Sequence, residues 1–550
     1  SGSAEVASRS EDGSIWIRYW HPVGAEEYAY IAPDPLHPNI IYGAGAGHVT
    51  RYNELTQQVQ TVSPVFGGRF DASTYRYNRT NPLIFNYVDK RTMYLGSSVL
   101  FATRDGGVHW SVISPDLTRK HPGVPANIGA FKSDPLAKEE RGVVYSIAPS
   151  YIDKNEIWAG TDDGLVWVTR DAGKHWENVT PPGVGPWNKI TQIDSSHFDA
   201  NTAYVSVSRF RLDDLHPYIY RTHDGGKHWQ LITSGLPDDS PANTVREDPV
   251  RRGLLFAGTE RTVYVSYNDG NTWQSLQLNL PSTSIRDLVV HDNDVVVGTH
   301  GRSFWILDDV EPLREGRVAT THLYKPSTAY RLRRDTWTDT PLPPEEPAGE
   351  NPPDGAVIDY YLPQDARGPL TLSIYDGAGN LVRKFSSTDH PVPIDPGITV
   401  PTYWVRPTRI PSASAGMHRF LWDYRYPEPQ SVAYDYPISA IYEDTPRAPE
   451  GILALPGRYT VKLTVDGRSY SQPLSLKMDP RVAISQAGLR EQYDLAQRIV
   501  ALMARTDNKR FARYNFQLAQ LLDAVEGADA VPTPAVVDAV HSIELKLFAH

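Results

Sequence analysis

The chain has no cysteine among its 550 residues. That removes disulfides, thiolate nucleophiles and cysteine-ligated zinc from consideration. No apolar run approaches the roughly 20 residues of a membrane span, and no signal peptide is visible. Positive charge is in deficit, with 54 Lys and Arg against 65 Asp and Glu and a net charge of −11. A nucleic-acid partner is disfavoured, because phosphate binding needs clustered basic side chains. The chain also lacks His-Glu-x-x-His, Gly-x-Ser-x-Gly and a phosphate loop. Gly43-Ala44-Gly45-Ala46-Gly47 has no helix after it, so it does not read as a dinucleotide site. Nothing in the sequence calls for a cofactor or a metal. The turn His291-Asp292-Asn293-Asp294 has calcium-type ligands, but a strand turn accounts for it.

What is abundant is Tyr (31), Trp (13), Pro (45) and Gly (40), the composition of many strands joined by turns. Thr222-His223-Asp224-Gly225-Gly226-Lys227-His228-Trp229 recurs as Thr103–Trp110 and Thr169–Trp176, with a looser copy at Ser266–Trp273. The shared form is Ser/Thr-x-Asp/Asn-x-Gly-x-x-Trp. The Asp or Asn can bond its own backbone and fix a turn. The Gly takes a positive φ without steric cost, and the Trp anchors the following strand with a large apolar surface. A short apolar strand carrying a small residue also recurs, around positions 44, 96, 160, 206, 258 and 298. Those intervals begin at the roughly 40–50 residues of a four-stranded propeller blade, so six repeats are expected between about residue 25 and residue 310. A propeller must close to protect its sheet edges. A seventh blade built from the strand-like run 14–20 with His322-Leu323-Tyr324 and Ala329–Leu332 is one route. Blades on an upstream segment are the other.

The expected organisation is a β-propeller over 1–334, a Pro-rich linker over 335–354, a β-sandwich over 355–481 and a helical segment over 482–550. The sandwich follows from alternating strands such as 370–375 and 457–465, with an irregular insert at 387–415. From Ser485, a plausible N-cap, the period changes to helical with Leu489, Tyr493, Ala496, Val500 and Met503. Phe511, Tyr514, Leu518, Leu521 and Leu522 mark a second helix. Gly527 and Pro532 end it before a third over 534–548.

The octads resemble Asp-boxes, or BNR repeats, of sialidases, xyloglucanase-type glycosidases and sortilin-type receptors. The region 25–310, ending in Gly298-Thr299-His300-Gly301-Arg302-Ser303-Phe304-Trp305, is similar to bacterial exported sortilin-like or "glycosyl hydrolase BNR repeat" proteins. Segments 370–385, 418–423 and 456–465 resemble the Ig-like module at the end of such chains. The resemblance implies a mainly β protein, a six- to seven-bladed propeller followed by an Ig-like sandwich and short helices, secreted to the periplasm or cell surface. It says little about activity, because one fold hosts many.

In the resembling families the box residues, here Asp105, Asp171, Asp224 and Asn268, lie at the blade periphery, which implies a structural role. A sialidase needs an arginine cluster and a Tyr nucleophile. Arg409-Ile410-Pro411 matches a sialidase motif, but it follows the boxes and sits in the sandwich insert, so it reads as coincidence. A xyloglucanase-like mechanism needs two carboxylates across a groove. Asp162, Asp163, Asp213, Asp214, Glu260, Asp308 and Asp309 lie near loop positions, with Asp163, Asp213 and Asp214 as the leading candidates, and in the resembling glycosidases the groove lies between two propellers. The insert Ser208–Tyr218 carries Arg209, Arg211, His216 and Tyr218, charged and aromatic groups suited to sugar or peptide contacts. Trp187 beside glycines suits a platform. Arg69, Tyr75, Arg76, His300 and Arg302 complete a polar and aromatic face. The expected function is binding of a polysaccharide or protein segment on the loop face. Two alternatives stand beside it: a glycoside hydrolase needing a second propeller or subunit, and a structural subunit of a surface assembly.

Overall fold

A computed structural model of the chain describes residues 2–11, 13–25, 27, 30–65, 74–125, 127, 140–333, 346–394, 397–398, 400–437 and 443–548. Arg69 and the first part of the Pro-rich stretch lie outside these residues. The chain is mainly β: a propeller, then a β-sandwich, then a short helical segment. It forms two compact units, one of Ser1–Val6 and Trp20–Val310, the other of Ala7–Tyr19 and Glu311–His550.

The first unit contains five four-stranded sheets and one three-stranded sheet among the described residues, in chain order. Each is an antiparallel meander, so we number them as blades one to six. The apolar repeats Ile40–Gly45, Met93–Gly96, Ile157–Thr161, Ala203–Arg209, Leu255–Thr259 and Asp294–Thr299 are the second strands of the six blades. In blades one, two, three and five every residue of that strand is buried. This burial on both faces is why they read as continuous rather than alternating apolar runs.

The octads join the third strand to the fourth and also fasten each blade to the one before it. In the first, Thr103 Oγ1 donates to Asp105 Oδ1 at 2.9 Å, and Gly107 N donates to Thr103 Oγ1 at 3.0 Å. His109 N then donates to Asp105 Oδ1 at 2.9 Å. The other octads repeat these bonds. The four tryptophans, Trp110, Trp176, Trp229 and Trp273, donate to the carbonyls of Val62, Ile113, Val179 and Ile232 at 2.7–2.9 Å. Each acceptor follows the outer strand of the preceding blade. The octad glycine packs on the same residue. Gly226 has φ +89°, and a Cβ there would lie 2.6 Å from Val179.

No seventh blade forms from the two chain ends among the described residues. His322–Leu323 and Ala329–Arg331 join the sandwich sheets instead. Ser14–Ile15 pairs with Gly349–Glu350, and Trp20–Pro22 pairs with Ala4–Val6. Blade six has only three strands, and Trp20 stacks on Phe304 of its third, with ring centroids 6.0 Å apart.

In the second unit a three-stranded sheet (His322–Leu323, Ala356–Leu362, Gly416–Trp422) packs on a five-stranded one. The five are Ala329–Arg331, Arg468–Met478, Gly457–Val465, Thr371–Tyr375 and Leu381–Ser386. Their shared core includes Trp422, Leu372, Val461 and Leu463. Helices follow at Gln486–Thr506, Ala512–Glu526 and Pro534–Phe548, and Ser485 caps the first by accepting from Gly488 N. The buried face of that helix is Leu489, Gln492, Leu495, Ala496, Ile499, Leu502 and Met503. It is rotated from the expected face, because Tyr493 and Val500 lie at its margin. Arg331 and Asp529, both almost fully buried and 2.6 Å apart, tie the sandwich to the segment after the second helix.

Candidate functional site

Antiparallel pairing fixes which features share an end of the propeller. The starts of the inner strands and the turns between second and third strands lie at one end. The octads, between third and fourth strands, lie at the other. Four inner strands carry a register shift at the same place: between Val144 and Ser146, Ile190 and Gln192, Ala242 and Thr244, and Ile285 and Asp287. The residues left at these bulges are Tyr145, Thr191, Asn243 and Arg286. A bulge re-aims the side chain it carries, and here three of the four contribute to one polar cluster at the channel mouth.

Lys189, at the start of the inner strand of blade four, places Nζ 3.6 Å from the centre of the Tyr145 ring. Arg211 reaches Asp162, with Nη1 3.3 Å from the backbone oxygen and 3.5 Å from Oδ2. Arg286 donates to Glu260 Oε1 at 3.2 Å and stands 3.4 Å from His300 Nδ1. Asn243 Nδ2 donates to the same Glu260 oxygen at 2.9 Å. Each arginine therefore has a carboxylate. Lys189 has none within ion-pair distance among the described residues. Burial first, then the fields of Arg211 and Arg286, push its amine down to about 8, while Asp162 opposes. Burial raises Tyr145 against the opposing fields of Arg211 and Arg286.

Below the mouth the channel is crossed by side chains. Gln192 Nε2 donates to Asp287 Oδ1 at 3.0 Å, from blade four to blade six. Arg246 donates to Asp194 at 3.1 Å and to the Leu288 carbonyl at 2.9 Å. Tyr87 stacks on Tyr151 at 4.0 Å, and Tyr151 on His197 at 3.6 Å. A ligand at the mouth meets a polar floor rather than an open pore.

The residues singled out from sequence are distributed unevenly. Arg211 and His300 belong to the mouth. Arg209 donates to the Gly183 carbonyl at 2.7 Å and lies 3.9 Å over the Tyr218 ring. Asp214 accepts from Tyr218 Oη at 2.8 Å and pairs with His216 at 2.9 Å. Burial opposes its ionisation, but the bonds from Tyr218 and His216 outweigh that and hold the carboxyl below its ordinary value. Those four side chains brace the insert. Asp213 takes a left-handed φ of 60° after the turn Phe210–Leu212 and accepts from Asn127 Nδ2 at 3.0 Å. Asp163 is buried, accepting from Thr161 Oγ1 at 2.5 Å and from Arg119 N at 2.7 Å, and burial raises it. Trp187 donates to the Gly123 carbonyl at 3.0 Å. Arg302 is an exposed side chain on the turn of blade six. Tyr75 packs edge-on to Phe101, and Arg76 binds Asp116, Thr118 and Gly142.

At the opposite end Asp105 and Asp171 are lowered to about 2, and Asp224 further still. The bond from the backbone N–H of the octad histidine comes first among the causes. They are locked in the charged form within turns. The mouth residues that sequence reasoning missed are Lys189, Tyr145, Asn243 and Arg286. For Tyr145, Asn243 and Arg286 the signal is the bulge, which appears only when strand registers are compared, whereas Lys189 is regularly paired with Ser208.

No family model matches the chain. It is similar to an oligoxyloglucan-reducing end-specific xyloglucanase of Emericella nidulans, at 25% identity over 176 residues, which are 31% of this chain and 19% of that protein. The chain thus spans about a fifth of the curated relative it matches. Among solved structures it is similar to the GH74 xyloglucanase of Xanthomonas campestris, with a TM-score of 0.39 and 14% identity, covering 86% of this chain and 79% of that one. It is also similar to YCF48 bound to a D1 peptide, with a TM-score of 0.35 and 16% identity, covering 60% and 89%.

Proposed function

We propose that the chain is an exported binding protein that takes a polysaccharide segment on the loop face of its propeller, over the Lys189–Tyr145 mouth. The observation that carries this reading is Lys189 itself. A lysine drawn into a half-buried site against an aromatic ring, in the field of two arginines and with no carboxylate at ion-pair distance among the described residues, lowers stability at neutral pH. A ligand oxygen at that place would relieve it. Arg211, Arg286 and Asn243 add donors, while Asp162 and Glu260 add acceptors, the mixture a hydroxyl-rich chain needs. The matched part of a xyloglucanase favours a polysaccharide over a protein segment. The octads and the two-sheet module support membership of the exported Asp-box group and a periplasmic or surface location.

Hydrolysis is the second reading, and the enzymatic relative favours it. It requires a pair of carboxylates free to exchange protons. Asp163, Asp213 and Asp214 are each engaged in holding loops, and at the mouth Asp162 is held by Arg211 and Glu260 by Arg286 and Asn243, so a second propeller would have to supply the chemistry. A glycan array combined with a reducing-sugar assay separates the readings. Binding without turnover, lost in Lys189→Met and Arg211→Ala, is expected. Turnover abolished by Asp213→Asn or Asp163→Asn would favour the enzyme. Stable co-purification with another chain and no glycan affinity would favour an assembly subunit and count against both.

A further inference from the structure

The second unit holds a cavity of about 440 Å³ bounded by the strand Ala329–Arg331, the segments after Gly416–Trp422 and the helix Ala512–Glu526. Its size falls within the range of small-ligand sites. An alternating ladder of charges forms one wall. Arg409 lies 3.7 Å from Asp444, which Arg406 holds at 2.5 Å. Arg406 continues to Glu450 at 3.3 Å, and Glu450 to Arg425 at 2.8 Å. Arg425 ends 3.8 Å from Glu526.

The ladder is incomplete in three places. Arg409 Nη1 is buried and makes no hydrogen bond among the described residues. Among the described residues the carboxylate within ion-pair distance of it, Asp444, is shared with a closer arginine, and burial together with the field of Arg406 lowers its guanidinium against the opposing fields of Asp423 and Asp444. Among the described residues Asp423 accepts only the Arg425 backbone N–H, at 3.3 Å. Asp523, an exposed residue of the helix, has no ion-pair partner among the described residues. A buried donor without an acceptor costs about 1–3 kcal/mol. The unmet groups therefore define what a ligand must bring.

Five arginines and six carboxylates line the cavity, so the charges nearly cancel and the wall holds no strong preference for an anion or a cation. Guanidinium groups only donate and carboxylates only accept. A ligand facing both kinds at adjacent points needs groups that do both, which hydroxyls do. Tyr330, Leu332, Pro446 and Leu453 supply apolar surface between the polar points.

From this we infer that the cavity is a binding site for a small neutral polyhydroxylated ligand, one or two sugar units, whose hydroxyls accept from Arg409 Nη1 and donate to Asp423 and Asp523. The site is separate from the propeller mouth and stands whether or not the mouth binds glycan.

The test uses the intact chain with glucose, xylose, galactose and cellobiose, and with glycine and arginine as zwitterionic comparators. Saturation-transfer NMR and calorimetry read the binding. At least one sugar is expected to bind saturably at millimolar concentration. Arg409→Met and Asp423→Asn should each weaken it by about tenfold or more, the loss of a charge-assisted hydrogen bond. Asp105→Asn, in a propeller octad outside both sites, should leave it unchanged, and repeating the cavity variants in a Lys189→Met background separates this binding from any at the mouth. Should Arg409→Met fail to fold, Asp523→Asn on the exposed side of the helix gives the same reading. Failure of all four sugars to bind, tighter binding of glycine or arginine, or affinity unmoved by both Arg409→Met and Asp523→Asn overturns the inference.

Discussion

Replacing Lys189 by methionine should stabilise the propeller while removing its ligand binding. The amine is drawn from its ordinary value near 10.5 to about 8, by burial first and then by Arg211 and Arg286. A drop of that size corresponds to about 3 kcal/mol of penalty on the charged form. Water at the mouth and the contact with Tyr145, worth about 0.5–2 kcal/mol, reduce the net cost to about 1–2 kcal/mol. For a unit of this size the gain amounts to about 2–6 °C in melting temperature, read by calorimetry on the propeller transition. The pH dependence supplies a second readout. Between about pH 8 and 10.5 the folded chain binds fewer protons at this group than the unfolded chain. Wild-type stability should therefore rise with pH across that window, and the Lys189→Met increment should vanish at its upper end. A variant less stable than wild type at pH 7, or an increment that does not change with pH, would refute the placement of Lys189 as a strained, unpaired cation.

Three further outcomes follow from the packing. Gly226→Ala should cost about 2–4 kcal/mol, seen as an early propeller transition, because the new Cβ meets Val179 at a positive φ. Asp529→Ala should cost about 3–5 kcal/mol in the second unit and lower helical protection in hydrogen exchange, since it strands the buried Arg331 and removes the partner of Arg333. Acid should loosen the octads. Asp105 and Asp171 have depressed folded-state values, so their contribution is intact above about pH 4 and is lost as pH falls toward about 2. Asn substitution at both should flatten that part of an acid-unfolding curve.

The repeating parts of this chain were legible because each repeat states the same local rule. The octads placed the turns, and the apolar strands placed the middle of every blade. Ser485 placed a helix start that its bond to Gly488 realises. What the sequence concealed depends on register and neighbours. Asp163 follows Asp162 in a turn, yet only one of the two faces the mouth, while the other holds Arg119 from below. Arg209 and Arg211 are two residues apart, and one braces the loop while the other meets the mouth. Lys189 lies in the segment read as a Trp187 platform, but the ring it meets, Tyr145, sits at a bulge in the inner strand of another blade. The strands after residue 320 looked like propeller material because short apolar pairs carry no address. Pairing with Ala356–Leu362 and Arg468–Met478 assigned them to the sandwich.

The most direct test of the loop-face account is affinity electrophoresis of the intact chain through gels containing xyloglucan or another soluble polysaccharide chosen by the array. Wild-type protein and the octad variant Asp105→Asn should be retarded alike. Folded Lys189→Met and Arg211→Ala should migrate as in a gel without polysaccharide. Equal retardation of all four proteins would contradict the assignment of binding to the Lys189–Tyr145 mouth.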